Sequence, residues 1–528
     1  MSVPQDFIIN STEITGGYDE NVTVTTLSDG RALVAWVANG EPDSAYPNYS
    51  FPLIRARWLN ADGTPAGDDF VVSATQDWSR NPSASATADG RVIVTWDNGE
   101  SLRGIFLDPD ATGTTTDFEL ATRQDEFQPV IGRYLLDHEV TALSDGRFFV
   151  VWESNNGADG DVADTPWGPV GVCVQGRFFA ADGTAIGDTM VLNSTSVGSQ
   201  YNPDVTELSD GRILVTFASY GDDSVLARVI NQDGSLQGQD VQLNTTTDGD
   251  QEAGDVAALA DGRAVAVWYE QGSDSDQTGS YIRAQVIGAD GQPEGDDFVV
   301  SAALTNGSLP AITALADGGA LVVWHGENSE LRGHLLNADG RPVSADFVIS
   351  STVGYGSSAP ALEALADGRV LVSWNSVESS NGWSVTRGVY FTPEMGADGA
   401  DALAGTAGLD VMMGLGGNDV LTGGAGNDSQ MGGTGQDKLV GGTGDDLMLG
   451  ENGNDALTGG VGDDSQMGGT GQDKLNGGSG DDVIMGENGA DVLTGGVGDD
   501  SQMGGTGQDN LNGGAGEDVL TGGAGRDI

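Results

Sequence analysis

The last quarter of this 528-residue chain is written in a nine-residue period that never slips. Units open at Gly396, Gly405, Gly414, Gly423 and every nine residues on to Gly522, fifteen in all. A typical run reads GGTGDDLML (441–449), then GENGNDALT, then GGVGDDSQM. Positions one and four are always glycine, position six is always aspartate, and position eight is mostly a large apolar residue. One apolar side chain per unit cannot bury enough surface to offset the ordering of nine residues, so such units can only fold by stacking. Glycine tolerates positive φ, so a GGxGxD segment can close a tight turn and bare its carbonyls. The three closing residues suffice for a short strand with its middle side chain inward. Two units then make one coil of a flattened right-handed roll, and turn n stacks on turn n + 2. A Gly/Asp linker has no reason to hold register through fifteen units.

The turn chemistry suits a hard cation. Ca²⁺ takes about six to eight oxygen ligands and tolerates irregular geometry, which two stacked turns can supply and one cannot. The array resembles the RTX family of secreted bacterial calcium-binding proteins, and the resemblance covers residues 396–528 only. It implies metal-ligating roles for Asp401, Asp410, Asp419, Asp428, Asp437, Asp446, Asp455, Asp464, Asp473, Asp482, Asp491, Asp500, Asp509, Asp518 and Asp527. Pairing n with n + 2 across fifteen turns sets a ceiling of about 13 ions. Two departures stand out. A 36-residue superperiod places Gln430, Gln466 and Gln502 at the apolar position, where an unpartnered amide costs on the order of 1–3 kcal/mol. The units at Gly396 and Gly405 lack the second glycine, so incomplete calcium occupancy is expected at that end.

A formal net charge of −59 disfavours nucleic acid and anionic membranes as partners and invites divalent cations. The array holds 23 acidic and 3 basic residues, or −20, which leaves −39 for the rest. No apolar run reaches the roughly 18 residues needed to cross a bilayer. The opening MSVPQDFIINSTEITGG shows neither a basic nor an apolar stretch of the kind a Sec-type signal has. RTX resemblance implies one-step type I export on a C-terminal signal; the sequence departs from that pattern by ending within a repeat, at GGAGRDI. The one cysteine, Cys173, sits in the alternating stretch VGVCVQGRFF and reads as a small buried hydrophobe. Without disulfides, calcium would take over the stapling role in an extracellular setting.

A different repeat governs residues 1–395. SDGR or ADGR turns recur at Asp29, Asp89, Asp145, Asp210, Asp261, Asp317 (followed by Gly-Gly) and Asp367. Seven residues after each Asp comes an aromatic: Trp36, Trp96, Trp152, Phe217, Trp268, Trp324 and Trp374. Asp-Gly between alternating runs is a hairpin signal, and a second hairpin follows in each repeat. Four short antiparallel strands per repeat of about 50–65 residues read as a propeller blade. The first three strands occur seven times, but a fourth follows the third only six times; the missing copy is DFIIN (6–10), ahead of the first repeat. The strand arithmetic predicts an all-β chain: an N-terminal seven-bladed β-propeller (1–395) closed by its N-terminal strand, which removes an exposed edge, followed by a C-terminal calcium-binding parallel β-roll (396–528). The seven aromatics are expected between blades, the turn arginines on their own turns or neighbouring acids, and the third-strand arginines (Arg55, Arg103, Arg177, Arg228, Arg283, Arg332, Arg387) in an ion-pair ladder spanning the blades.

Long loops after Trp36, Trp152 and Trp268 carry Tyr46, Tyr49, Trp167, Tyr269 and Tyr281 beside Glu41, Asp43, Glu153, Asp159, Asp161, Asp164, Asp274 and Asp276, and Trp78 and Trp383 are expected at the same face. Aromatics with carboxylates suit a sugar site or a further calcium site. No GxSxG, HExxH or phosphate-binding loop occurs, and SDGRxxVxW lacks the spacing of the sialidase Asp-box, so no catalytic residue is assigned. The expected function is that of a secreted, extracellular or cell-surface calcium-binding protein whose propeller serves interaction or adhesion, with glycan as a candidate ligand. A secreted polysaccharide hydrolase or lyase and a structural surface-layer component stay open as alternatives, as does the oligomeric state.

Overall fold

The computed structural model describes residues 7–10, 21–42, 50–73, 79–110, 116–122, 137–154, 163–165, 168–170, 172–194, 198–220, 223–245, 249–272, 279–301, 304, 310–326, 330–343, 346–350, 359–378 and 383–528. Among them there is no helix. Six four-stranded antiparallel sheets succeed one another along the chain, the first built from Val22–Thr26, Ala32–Pro42, Ser50–Leu59 and Phe70–Val71. The seventh has three strands of its own, Ala361–Ala364, Val370–Glu378 and Trp383–Met395, and takes its fourth, Phe7–Ile8, from the N-terminus. Phe7 and Ile8 face Gly388 and Arg387 in antiparallel register. The innermost strands neighbour one another in ring order, and Val22–Thr26 lies between Arg80–Ala86 and Ala361–Ala364. This is the seven-bladed ring, closed by the N-terminal strand, that the strand arithmetic predicts.

The Asp-Gly turns explain the local folding. In blade 1, Asp29 Oδ1 accepts from the Arg31 N–H at 3.0 Å and Gly30 sits at φ 86°, which fixes the hairpin between the first two strands. The aromatic seven residues on then points between blades. Trp36, Trp96, Trp152, Phe217, Trp268, Trp324 and Trp374 are each 0–1% exposed, and each belongs to a different core cluster shared with the preceding blade. Trp36 closes the circle, packing with Ile9 and with Leu365 and Leu371 of blade 7.

The arginines divide into two sets. Third-strand arginines pair inside their own blades, Arg55 with Asp69 (2.5 Å), Arg103 with Asp117 (2.8 Å) and Arg283 with Asp297 (2.6 Å), so the expected ladder does not run from blade to blade. The turn arginines do cross. Arg31 bonds its own Asp29 and reaches Asp110 of blade 2 at 2.8 Å. Arg91 donates to the Ala181 carbonyl of blade 3 at 2.9 Å, Arg147 to Gln232 of blade 4 at 3.1 Å, and Arg263 to Ala338 of blade 6 at 2.6 Å. Arg212 clamps the Ala289 carbonyl likewise, and Arg369 of blade 7 clamps Ala61 of blade 1. Every target lies at the turn between the third and fourth strands of the next blade. Blade 6 is the exception: Gly319 stands where the arginine would be, and a Cβ there would lie 2.7 Å from Met395 Cε.

Met395 matters because it ends the strand that leaves the propeller. The tail of Trp383–Met395 pairs in parallel with Leu409–Met413, from Phe391 opposite Leu409 to Met395 opposite Met413. The sheet of blade 7 therefore continues into one sheet of a parallel roll, and the second roll sheet starts at Ala402–Ala404. Each strand pairs with the one 18 residues on, as Met412 with Gln430 and Gln430 with Met448. Position eight fills the interior: Met412, Leu421, Leu439, Met448, Leu457, Leu475, Ile484 and Leu493 form one buried row. The glutamines at that position stay inward too, 0–2% exposed, and Gln430, Gln466 and Gln502 donate through Nε2 to the Val440, Asn476 and Asn512 carbonyls of the facing sheet at 2.8–3.0 Å. The first coils pack on the propeller, with Val411, Met413 and Met431 in one cluster with Leu335, Phe347 and Trp374.

Candidate metal centre

Stacking in the roll brings the aspartates of alternate units into two rows, one along each edge. Within a row each carboxyl uses one oxygen for structure. Asp428 Oδ1 accepts from the backbone N–H of Asp410 at 2.9 Å, Asp455 Oδ1 from Asp437 at 2.8 Å, and Asp518 Oδ1 from Asp500 at 3.1 Å. The second oxygen is left over. In Asp419, Asp428, Asp437, Asp446, Asp455, Asp464, Asp473, Asp482, Asp491, Asp500 and Asp509, Oδ2 is buried with no hydrogen-bond partner. Buried carboxylate oxygens are not left bare in stable proteins unless something else fills the place.

The surroundings say what kind of group fits. A Cβ built on Gly423 would lie 2.2 Å from Asp428 Oδ2 and 2.6 Å from the Gly441 carbonyl oxygen, so the position-one glycine leaves room where these two oxygens converge. Position four is glycine for stacking itself, since a Cβ on Gly435 would sit 1.4 Å from the Gly417 carbonyl. Among the described residues no three His, Cys, Asp or Glu side chains meet at one point. The cradles are mixed carboxylate and backbone carbonyl, a hard-oxygen set suited to calcium and unsuited to zinc or copper.

Burial raises the carboxyls of Asp428, Asp437, Asp446, Asp455, Asp464, Asp473, Asp482, Asp491 and Asp500. Asp446 is pushed up to about 8, by burial first and then by Asp464, Asp428 and Asp445. Asp428, Asp455 and Asp464 rise to about 7, and Asp482 and Asp491 to about 6, again with burial the main cause.

The first two units differ, in the direction their missing glycine suggests. The Ala397 N–H donates to Asp401 Oδ2 at 2.7 Å and the Thr406 N–H to Asp410 Oδ2 at 2.5 Å, which consumes the oxygen that is free elsewhere. Position two is left-handed in every later unit, including Leu415 (φ 70°), Glu451 (φ 69°) and Glu487 (φ 70°), but not at Ala397 or Thr406. A non-glycine residue pays for that conformation with roughly 1–2 kcal/mol, so its retention at Glu451 and Glu487 shows how strongly the stack dictates the turn. Sequence reasoning also missed position five. One edge carries Asp445, Asp463, Asp481 and Asp499 there, linked by N–H to Oδ1 bonds such as Asp463 to Asp445 at 2.8 Å; the other carries Asn418, Gln436, Asn454 and Gln472.

On the propeller, Tyr46, Tyr49, Trp78, Trp167, Asp43, Asp159, Asp161, Asp274 and Asp276 lie outside the described residues. Of the remaining loop-face candidates, Glu153 is buried and accepts from the Asn202 N–H at 2.8 Å, a structural contact. What the fold adds is the central channel, a cavity of about 580 Å³ lined by the innermost strands of all seven blades. Its carboxyls are Asp137, Glu139, Asp204, Asp255 and Glu363. Several cap unpaired N–H groups of the next blade, as Asp204 does for Val256 (2.6 Å) and Asp255 for Ile312 (2.9 Å). Burial pushes Glu139 up to about 8, Glu363 to about 7 and Asp137 to about 6.

The unspent carboxylate oxygens of the roll, set beside backbone carbonyls, form a hard-oxygen donor set. Residues 395–429, 431–465, 467–502 and 503–528 match the RTX calcium-binding nonapeptide repeat in four copies, so the C-terminal segment carries RTX repeats. Proteins with these repeats are typically secreted, and among the described residues no helix is long and apolar enough to cross a membrane. No curated protein matches the chain. Among solved structures, similarity extends to a protein of unknown function from Dyadobacter fermentans (13% identity, 74% of this chain and 99% of that one, TM-score 0.42). It also extends to the NanB sialidase of Streptococcus pneumoniae (13% identity, 74% and 71%, TM-score 0.41) and to a Penicillium chrysogenum alpha-L-arabinanase (11% identity, 73% and 98%, TM-score 0.43).

Proposed function

We propose that the roll holds two rows of calcium ions in eleven cradles, those of Asp419 through Asp509, and folds only with them, while the propeller is the module presented to extracellular partners. The eleven orphaned Oδ2 atoms carry this reading. Each cradle would join one Asp Oδ2 to the position-one carbonyl of the unit two turns on, as Asp428 with Gly441. Bound calcium supplies positive charge where the carboxylates crowd. The chain's own residues do the rest: position-one glycines keep the space open, left-handed position-two residues hold the N–H away from Oδ2, and the Oδ1 ladder fixes the spacing. The ceiling of about 13 ions falls to eleven because Ala397 and Thr406 spend the oxygens of the first two units. Equilibrium dialysis against calcium should count close to eleven ions per chain. A count of two or fewer would refute the assignment.

The propeller's role as an interaction module, with neutral glycan as its ligand class, rests on the aromatic and acidic composition of the loops after Trp36, Trp152 and Trp268. Screening the calcium-loaded chain on a glycan array, with Trp167→Ala beside it, tests the idea. An aromatic anchor typically contributes about 1–3 kcal/mol, so equal binding by both chains removes Trp167 from the site. A chain that binds no glycan and degrades none favours a structural role.

A further inference from the structure

The strand that joins the roll to the propeller is built unlike those that follow. Leu409–Met413 is buried on both faces. Met412 points into the roll interior, while Val411 and Met413 sit in the core of blades 6 and 7 with Leu335, Phe347 and Trp374, and Leu409 packs against that core. Leu409 stands at position five, where every other unit has alanine or a polar residue. On one side the strand is paired with propeller, in five consecutive parallel pairs with Phe391–Met395. Its carboxyl also needs no cation. Asp410 Oδ2 accepts from the Thr406 N–H at 2.5 Å and from the Thr406 hydroxyl at 3.1 Å, and Oδ1 lies 3.2 Å from the same hydroxyl.

Beyond Met413 the balance reverses. Met431 of the next strand reaches the same core, but Asp428 Oδ2 is buried without a partner, as are Asp419 Oδ2 and its counterparts through Asp509. The first strand of the other sheet, Ala402–Ala404, has its one ladder with Val420–Ala425, on the far side of that boundary. In a stack each coil contacts only its neighbours, so the first coil to form orders its backbone with least to pack on. A strand already held in place removes that cost, because its free edge presents a row of N–H and C=O groups ready for pairing. Val411, Met412 and Met413 offer that edge to Ser429, Gln430 and Met431.

We propose that Leu409–Met413 stays docked on blade 7 without calcium and is the template on which the calcium-loaded coils assemble, so that the roll grows from its propeller end. The proposal rests on the calcium-dependent folding proposed above and sets its limit at Gly414. Hydrogen–deuterium exchange on the full chain, with calcium and with chelator, tests the docking. Peptides covering 409–413 should keep the protection of the amides bonded to Phe391–Met395 in both conditions, whereas peptides from 420–525 should be protected only in calcium. Rapid mixing with calcium, followed by far-UV circular dichroism, tests the templating. The Val411→Ala, Met413→Ala double variant should reach the parent's β signal about tenfold more slowly or worse, because changes in a nucleus act on the folding rate. Leu493→Ala, in the buried row farther along the roll, should keep that rate within about twofold and instead speed the loss of signal in chelator. Full exchange of 409–413 in chelator overturns the proposal, and this measurement needs no variant to fold. A double variant as fast as the parent, or a Leu493→Ala chain slowed as much as the double variant, overturns it too. If calcium changes protection nowhere between 420 and 525, the folding reading itself has failed, and the template fails with it.

Discussion

Removing calcium from this chain at neutral pH should unfold its last quarter and leave most of the rest standing. Eleven buried carboxylate oxygens lack any partner in the folded roll. Each would cost about 1–3 kcal/mol if left so, for a total of about 10–30 kcal/mol against the 5–15 kcal/mol by which domains are usually stable. The interior offers little to offset this, with one apolar residue per unit and three of those places held by Gln430, Gln466 and Gln502, whose Oε1 atoms are unpartnered too. The metal-free roll should therefore be unfolded at neutral pH. The optical signals separate cleanly, because residues 396–528 contain no Trp, Tyr or Phe and all ten tryptophans lie at or before Trp383. In chelator the far-UV β signal should fall by roughly the roll's share of the chain while tryptophan emission changes little, and millimolar calcium should restore it. Far-UV spectra and proteolysis patterns that are the same in chelator and in calcium would refute the reasoning.

Other outcomes follow from the same contacts. Carboxyls raised in the folded state stabilise it fully below their unfolded value near 4 and cease to do so as pH passes through the folded values, here about 6 to 8 at Asp446, Asp428 and Asp482. The chelated chain should thus gain β signal at mildly acidic pH and lose it by pH 8, and calcium affinity should climb over the same range; a chelated chain that is equally disordered throughout contradicts this. Ile9 is fully buried between blades 7 and 1, so Ile9→Ala should cost about 2–5 kcal/mol in denaturant titrations read by tryptophan emission, and an unshifted midpoint would discredit closure by the N-terminal strand. Gly435→Ala drives a Cβ into the Gly417 carbonyl and should lower the calcium stoichiometry by at least one ion in dialysis, whereas parent stoichiometry would show that the stack gives way there.

The features legible in the sequence were those written as periods. Seven Asp-Gly turns with an aromatic seven residues on give both the hairpins and the inter-blade core, because a turn and an alternating strand are local decisions. The displaced fourth strand was legible by counting, and Phe7–Ile8 beside Gly388 and Arg387 is where the count put it. The aspartates of the roll were legible by register, but their unequal chemistry was not. Whether Oδ2 is spent depends on the conformation of the residue four positions earlier, which differs between Thr406 and Glu451 only once the coils are stacked. The turn arginines looked like local caps because their second partners, such as Ala181 for Arg91, lie some 90 residues away in the next blade. The channel carboxyls escaped notice for the opposite reason. Asp137, Glu139, Asp204, Asp255 and Glu363 are ordinary acids in an acidic chain until seven strands bring them round one axis.

The glycine at position 319 has a mechanical consequence. Six of the seven joints in the ring are pinned by an arginine that grips a turn of the next blade. The joint from blade 6 to blade 7 has no such turn to grip, because there the chain runs on through Met395 into the roll. Its place is taken by Met395 and by the cluster of Val411, Met413 and Met431 against Leu335, Phe347 and Trp374. The ring thus has its keystone outside itself, in the first coils of the roll. On the proposed calcium-dependent folding, chelation should loosen this one joint while the arginine grips hold the other six.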